Sequence, residues 1–150
     1  MSGFSEDTVE YAAIETLKSL GWLYLHGSVI APEGPSPQRP SYSEAVLLKR
    51  LEAWVEQINP DVPEEARAEA IRQVLTSQTH DVVEENRRID GLITEGVSVE
   101  FRAGERIVGD KVWLIDFENP DANDWLVVNQ YTLIEGHKNR RPDVVLFVNG

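Results

Sequence analysis

Apolar residues recur along this chain first at helical and later at strand spacing, and the change of period falls near Gly96. Val9, Ala12, Ala13, Leu17 and Leu20 share one face at 3.6-residue spacing, which predicts a helix over residues 6–20. Ser5 stands where an N-cap belongs, and Gly21 where the chain leaves the helix. At about 100° per residue, Glu10 falls at the edge of the apolar stripe, roughly 20° beyond Leu17, while Glu15 falls on the polar side. From spacing alone, Glu10 reads as a snorkelling acid at the core margin and Glu15 as a solvated one.

Residues 22–30 are apolar and turn-bounded, which suits either a short strand or an extended connection. Pro32, Gly34, Pro35, Pro37 and Pro40 then mark a loop. Ser41-Tyr42-Ser43-Glu44 has the form of a capping box and predicts a second helix to Ile58, with Leu47, Leu48, Leu51, Trp54, Val55 and Ile58 as its stripe. Asn59-Pro60-Asp61 breaks it. Asp61 or Val62 caps a third helix that has Pro63 in its first turn and ends near Leu75. A fourth helix is predicted over residues 81–94, with Val82, Val83, Ile89, Leu92 and Ile93 as its apolar set.

Beyond Gly96, Val97, Val99 and Phe101 alternate with Ser98, Glu100 and Arg102, the period of a half-exposed strand. Gly104 and Gly109 read as a turn region. Further strands are expected over residues 111–118, 125–134 and 144–148, with a polar loop over 135–141. The last strand is short and rich in β-branched residues, as buried strands are. Asn149-Gly150 after it has the signature of a type I′ hairpin turn, so a pairing strand is expected to follow and the chain to be the opening piece of a longer one. Helices followed by strands define an α+β protein, a helical N-terminal half leading into a mixed or antiparallel sheet.

Composition adds bounds. The chain has 150 residues, 41% hydrophobic and 27% charged, as expected for one soluble globular domain. Lacking cysteine, it has no disulfide framework, thiolate metal site or cysteine nucleophile. The N-terminus lacks the basic and apolar regions of a secretory signal, and no apolar run approaches membrane-spanning length. No membrane association and a cytoplasmic location are therefore expected. A net charge of −12 argues against non-specific affinity of the whole chain for nucleic acid. One basic island interrupts that picture: His137, Lys138, Arg140 and Arg141, next to Asp143.

Nucleophile–base catalysis finds little support. His26, His80 and His137 fall in three separate loops, and there is no Gly-x-Ser-x-Gly elbow, Gly-rich phosphate loop or paired-histidine motif. The carboxylates say more. Asp116 sits in the apolar run Val112-Trp113-Leu114-Ile115-Asp116-Phe117, where an acid must find a partner or point to the sheet margin. Asp143 stands at the mouth of the most buried strand. A strand-end aspartate beside a basic loop suits a site where Mg²⁺ meets a phosphodiester, although Pro-Asp also precedes many ordinary strands.

Three blocks go beyond generic pattern: Asp116-Phe117-Glu118-Asn119-Pro120, the stretch from Asn123 to Thr132, and the stretch from Asn139 to Gly150. Together with Val9-Glu10, Leu17, Leu20-Gly21-Trp22 and Asn86-Arg87-Arg88, they closely resemble the N-terminal region of the restriction (R) subunit of type I restriction–modification enzymes. The resemblance implies a restriction-endonuclease-like core of the PD-(D/E)xK class, here incomplete at its C-terminus, with residues 1–150 forming part of the endonuclease domain. It implies Glu10 as the helix glutamate and Asp143 as the aspartate of Pro-Asp, both catalytic and both ligands of Mg²⁺. The family's Glu-x-Lys strand lies beyond Gly150, so this piece alone is expected not to cut DNA.

The resemblance further implies double-stranded DNA and the modification and specificity subunits as partners, and ATP used only by downstream motor domains. Lys138, Arg140 and Arg141 are then candidate contacts to DNA phosphates. An unpaired strand at residues 144–148 would invite a homodimer through that edge. The competing expectation is an acidic, non-enzymatic module, either a DNA mimic or a subunit-docking domain.

Overall fold

The computed structural model describes residues 5–150. Residues 1–4, part of the stretch read above as lacking a secretory signal, lie outside the described residues. In chain order the elements are α1 (Glu6–Ser19), β1 (Leu23–His26), α2 (Gly27–Ile30), α3 (Leu48–Ile58), α4 (Glu64–Leu75), α5 (Val82–Glu95), β2 (Val97–Ala103), β3 (Arg106–Val112), a 3-10 turn (Pro120–Ala122), β4 (Trp125–Asn129), β5 (Leu133–Glu135), β6 (Lys138–Arg140) and β7 (Val144–Val148). The protein is α+β. Among the described residues its strands form three small sheets rather than one. No helix among them is long and apolar enough to cross a membrane.

Two compact units share the chain. The first runs up to Arg50 and resumes over Asp124–Val148, with Gly150; the second holds Leu51–Asn123 and Asn149.

The first unit is organised on β4. Leu126, Val127 and Val128 are all fully buried, so this strand carries an unbroken apolar run, as strands covered on both faces do. β1 joins it in parallel, from Leu23↔Leu126 to His26↔Asn129. β7 joins its other side antiparallel, from Trp125↔Val148 to Asn129↔Val144. Ile30, Leu47, Leu126, Val128, Tyr131 and Phe147 form the core, each such burial contributing about 1.5–3 kcal/mol. α1 ends as its sequence predicts: Gly21 takes φ +94° and lets the Trp22 N–H turn back to the Leu17 carbonyl at 3.1 Å.

Several expected elements change here for traceable reasons. Residues 22–30 divide into β1 and one helical turn, with His26 ending the strand and its ring accepting from the Ser28 N–H at 3.2 Å. The capping box at Ser41 does not form. Ser41 Oγ accepts from the Ser43 N–H at 3.2 Å instead, and the Glu44 and Ala45 carbonyls are taken by Tyr131 Oη at 3.3 and 3.0 Å. The Arg39 guanidinium also donates to the Glu44 carbonyl at 3.0 Å, and α3 begins only at Leu48. The strand expected over residues 125–134 breaks at Gln130, whose φ is +53°. Residues 135–141 are not a loop, because Leu133–Glu135 and Lys138–Arg140 pair as a hairpin through Gly136-His137. The strand at 144–148, expected to lack a partner, pairs with β4 along its whole length and leaves only its outer edge open among the described residues. The partners at Ser41 and Gln130 are side chains or lie far away in sequence, so local pattern does not reveal them; the β5–β6 hairpin is local, and its polar composition hides it.

In the second unit, Ala66, Ala70 and Ile71 of α4 and Val97, Val99 and Val112 of the β2–β3 hairpin are buried. α5 is capped by Asp81, whose carboxylate accepts from the Val83 and Glu84 N–H groups at 2.9 and 3.0 Å. The second strand of the hairpin is Arg106–Val112, not 111–118, and Gly109 lies inside it. Ala103 pairs with Arg106, so the turn is the two residues Gly104-Glu105. Beyond Val112, asparagine side chains take the backbone groups that a ladder would need. Asn59 binds both the Trp113 N–H and its carbonyl at 2.8 Å. Asn123 binds the Asp116 N–H at 2.8 Å and its carbonyl at 2.7 Å, and Asn149 donates to the Leu114 carbonyl at 2.8 Å.

Asn149 and Gly150 have φ of +61° and +97°, the sign their turn signature requires. Asn149 is nevertheless fully buried, donating to the Leu114 carbonyl and to Asn123 Oδ1 at 2.8 and 2.9 Å.

Candidate active site

Asp143 and Glu10 come to the same end of β4. Glu10 lies in the second turn of α1 and is half-buried. Its Oε1 accepts from Asn129 Nδ2 at 2.7 Å and its Oε2 from Gln130 Nε2 at 3.1 Å. Tyr24 Oη, on β1, donates to Asn129 Oδ1 at 2.9 Å. Asn129 is the last residue of β4 and faces Val144 across the antiparallel ladder. Asp143 is the exposed residue before Val144, and its carbonyl accepts from the Gln130 N–H at 3.0 Å. Gln130 therefore holds the side chain of one acid and the backbone of the other.

A cleft of about 640 Å³ opens on the Glu10 side of this corner, lined by Glu10, Tyr11, Ile14, Tyr24, Asn129 and Gln130 among others; Asp143 does not line it. Glu15 also borders it, exposed and paired with Lys18 Nζ at 2.7 Å. That hydrogen bond raises the Lys18 ammonium above its ordinary pKa. Glu15 is thus engaged at the surface, whereas Glu10 is turned to β4.

Carboxylate oxygen is the chemistry of hard divalent cations, and the two amides serve it as hydrogen-bond donors, the Asn129 oxygen being taken by Tyr24. Among the described residues no three His, Cys, Asp or Glu gather closely enough to hold an ion by themselves. Two carboxylates are still enough for Mg²⁺, which keeps several waters and shares its shell with phosphate.

The basic island lies on the neighbouring hairpin. Lys138 and Arg140 belong to β6 and Arg141 follows it, all three exposed and without an ion pair among the described residues. Asp116 belongs to the second unit, where its Oδ1 accepts from the Glu118 and Asn119 N–H groups at 3.1 and 2.9 Å. Its partner is its own turn. Asn129, Gln130 and Tyr24 carry no role in the sequence reading. Their one sequence signal is a pair of adjacent amides interrupting an apolar run.

Type I restriction enzyme R protein N terminus is the family that matches this chain, over residues 3–150. The chain belongs to that family. It is 37% identical over 145 residues to the putative type I restriction enzyme MjaIXP endonuclease subunit of Methanocaldococcus jannaschii, covering 95% of this chain. It is 31% identical over 148 residues to the type I restriction enzyme HindI endonuclease subunit of Haemophilus influenzae, covering 97% of this chain. The chain spans 14% of the length of each of these relatives.

Proposed function

We propose that this chain is the DNA-cleaving region of a type I restriction R subunit, hydrolysing phosphodiesters of double-stranded DNA with Mg²⁺ held by Glu10 and Asp143. The observation that carries the proposal is Gln130, which ties the Glu10 side chain and the Asp143 backbone to one strand end. Mg²⁺ bound there would polarise the scissile phosphate and acidify a water. Glu10 is held on two amide donors and keeps free lone pairs on both oxygens. Asp143 is exposed to solvent, from which a phosphate would approach it. Lys138, Arg140 and Arg141 present positive charge to the DNA backbone from the strand that leads into Asp143. ATP hydrolysis, and pairing with modification and specificity subunits, belong to other parts of the assembly.

With only two carboxylates offered, the 150 residues by themselves bind the cation weakly and do not cut. In this isolated chain a second copy would pair along the outer edge of β7. The test incubates the isolated chain and the intact subunit with Mg²⁺ and plasmid DNA, each beside its Asp143→Ala variant. Cleavage by the intact subunit alone, lost on substitution, is the expected result. Robust Asp143-dependent cleavage by the isolated chain would overturn the view that its site is incomplete, and cleavage indifferent to Asp143 would remove the site itself.

A further inference from the structure

The corner at Asn129-Gln130 is held more firmly than a strand end needs. Asn129 is paired on both sides, to His26 and to Val144. Gly27 presses against it so closely that a Cβ there would lie 2.4 Å from the Gln130 carbonyl oxygen and 2.7 Å from that of Asn129. Within this frame Gln130 adopts φ +53°, a region that L residues other than Asn and Asp seldom enter. A corner needed only for its shape is met more easily by glycine. What glycine lacks is the amide that reaches Glu10 Oε2 at 3.1 Å. Backbone strain held in place by surrounding structure is characteristic of functional positions.

The polarity of the hydrogen bonds is also determined. An ionised carboxylate only accepts, so Asn129 must turn Nδ2 toward Glu10. Its Oδ1 then faces Tyr24, whose hydroxyl must donate. Both donors to Glu10 are uncharged, so they orient the carboxylate without neutralising it, leaving its charge for a cation. A lysine in the same place would compete with that cation.

We propose that Asn129 and Gln130 are the positioning residues of the Glu10 carboxylate, with Tyr24 fixing the Asn129 amide. The proposal rests on the reading of Glu10 and Asp143 as ligands of a divalent cation. Partners that orient a metal ligand typically change metal affinity by about 10- to 100-fold when removed.

The experiment measures Mn²⁺ binding calorimetrically, alongside melting temperature, on the intact protein. Gln130→Gly removes the amide while easing the backbone, so melting temperature should hold or rise while the Mn²⁺ dissociation constant increases about tenfold or more. Tyr24→Phe should shift affinity the same way by less. Glu10→Gln should weaken binding, and adding Gln130→Gly to it should weaken binding no further, because the amide acts through Glu10. Should Gln130→Gly fail to fold, Gln130→Asn, which tolerates the same φ but is one methylene shorter, carries the same expectation.

Unchanged affinity in Gln130→Gly beside a weakened Glu10→Gln would overturn the positioning role and leave the metal reading standing. Additive losses in the double variant would overturn it too. Unchanged affinity in Glu10→Gln would instead remove the metal reading, and the positioning role with it.

Discussion

Gly27→Ala tests whether the strand end that holds Glu10 is as tightly packed as its geometry indicates. The added Cβ would stand 2.4 Å from the Gln130 carbonyl oxygen, 2.7 Å from the Asn129 carbonyl oxygen and 2.8 Å from the Gln130 carbonyl carbon. All three are backbone atoms, and Asn129 is fixed by pairing on both sides, so no side chain can swing away. Overpacking of this kind costs about 1–3 kcal/mol. Gly27 opens a four-residue helix rather than lying inside one, so alanine regains little through helical propensity and the net loss stays at about 1–3 kcal/mol. At about 2–4 °C per kcal/mol for a chain of this size, melting should fall by roughly 2–12 °C.

The same clash moves Asn129 and Gln130 relative to Glu10, so Mn²⁺ affinity should fall together with stability. Gly91→Ala is the internal control: it lies inside α5, where an added methyl group would have nothing within 4 Å, and should stabilise by about 0.5–1 kcal/mol without touching metal affinity. Calorimetric melting and Mn²⁺ titration of the two variants decide the matter. A Gly27→Ala protein with wild-type melting and affinity would refute the argument, since the backbone would then have room that the distances deny.

Asn59→Leu removes the side-chain partner of both the Trp113 N–H and its carbonyl, two groups that are only partly shielded from water. At about 0.5–1.5 kcal/mol for each hydrogen bond lost, denaturant titration should show a loss of roughly 1–3 kcal/mol. In α5, Arg88 holds the Glu85 carboxyl below its ordinary pKa and also donates to the Gln73 carbonyl at 2.9 Å. A carboxyl depressed in the folded state stabilises above its unfolded pKa of about 4.3, and the contribution is lost as pH falls through the lower folded value. Hydrogen-exchange protection at the end of α4 should therefore decline over that acidic window, and Glu85→Gln should abolish the pH dependence. Arg140→Glu with Arg141→Glu should weaken DNA binding by the intact subunit and lower the slope of log affinity against log salt, by about 0.9 for each phosphate no longer neutralised. An unchanged slope would mean that these side chains face solvent in the complex.

Legibility follows the range of the interactions. α5 announces its start through Asp81 and β7 its extent through an apolar run, and α1 is legible in extent. Val9 and Leu20 of the α1 stripe and Val82 and Val83 of α5 are exposed, however, and Ile14 is the residue α1 buries. Asp143 is marked by its place before a strand, whereas Glu10 lies with Ala13, Ile14 and Leu17 on the face of α1 that packs, rather than at the edge of the expected stripe. What local pattern does not disclose is set by distant partners. The Ser41 box loses its helix to Tyr131 and Arg39, and the strand expected at Lys111–Glu118 loses its ladder to Asn59, Asn123 and Asn149. Gln130 is the sharpest example. Nothing in a glutamine between an asparagine and a tyrosine predicts a positive φ, because the angle comes from Gly27, Asp143 and Glu10 closing around it.

The parallel pairing of β1 with β4 has a consequence for how this protein folds. Leu23 meets Leu126 across about a hundred residues of chain, and the whole of Leu51–Asn123 lies between them in sequence. Contacts so remote in sequence form late and slow the folding of the domains that depend on them. β4 and β7, separated by a short hairpin, are therefore expected to zip first, with β1 and α1 arriving afterwards to bring Glu10 to its amides. Closing the long excursion depends only weakly on its length, at about 0.6 kcal/mol for each doubling. The length of the intervening segment therefore bears only weakly on whether the helix that carries Glu10 reaches its seat beside β4.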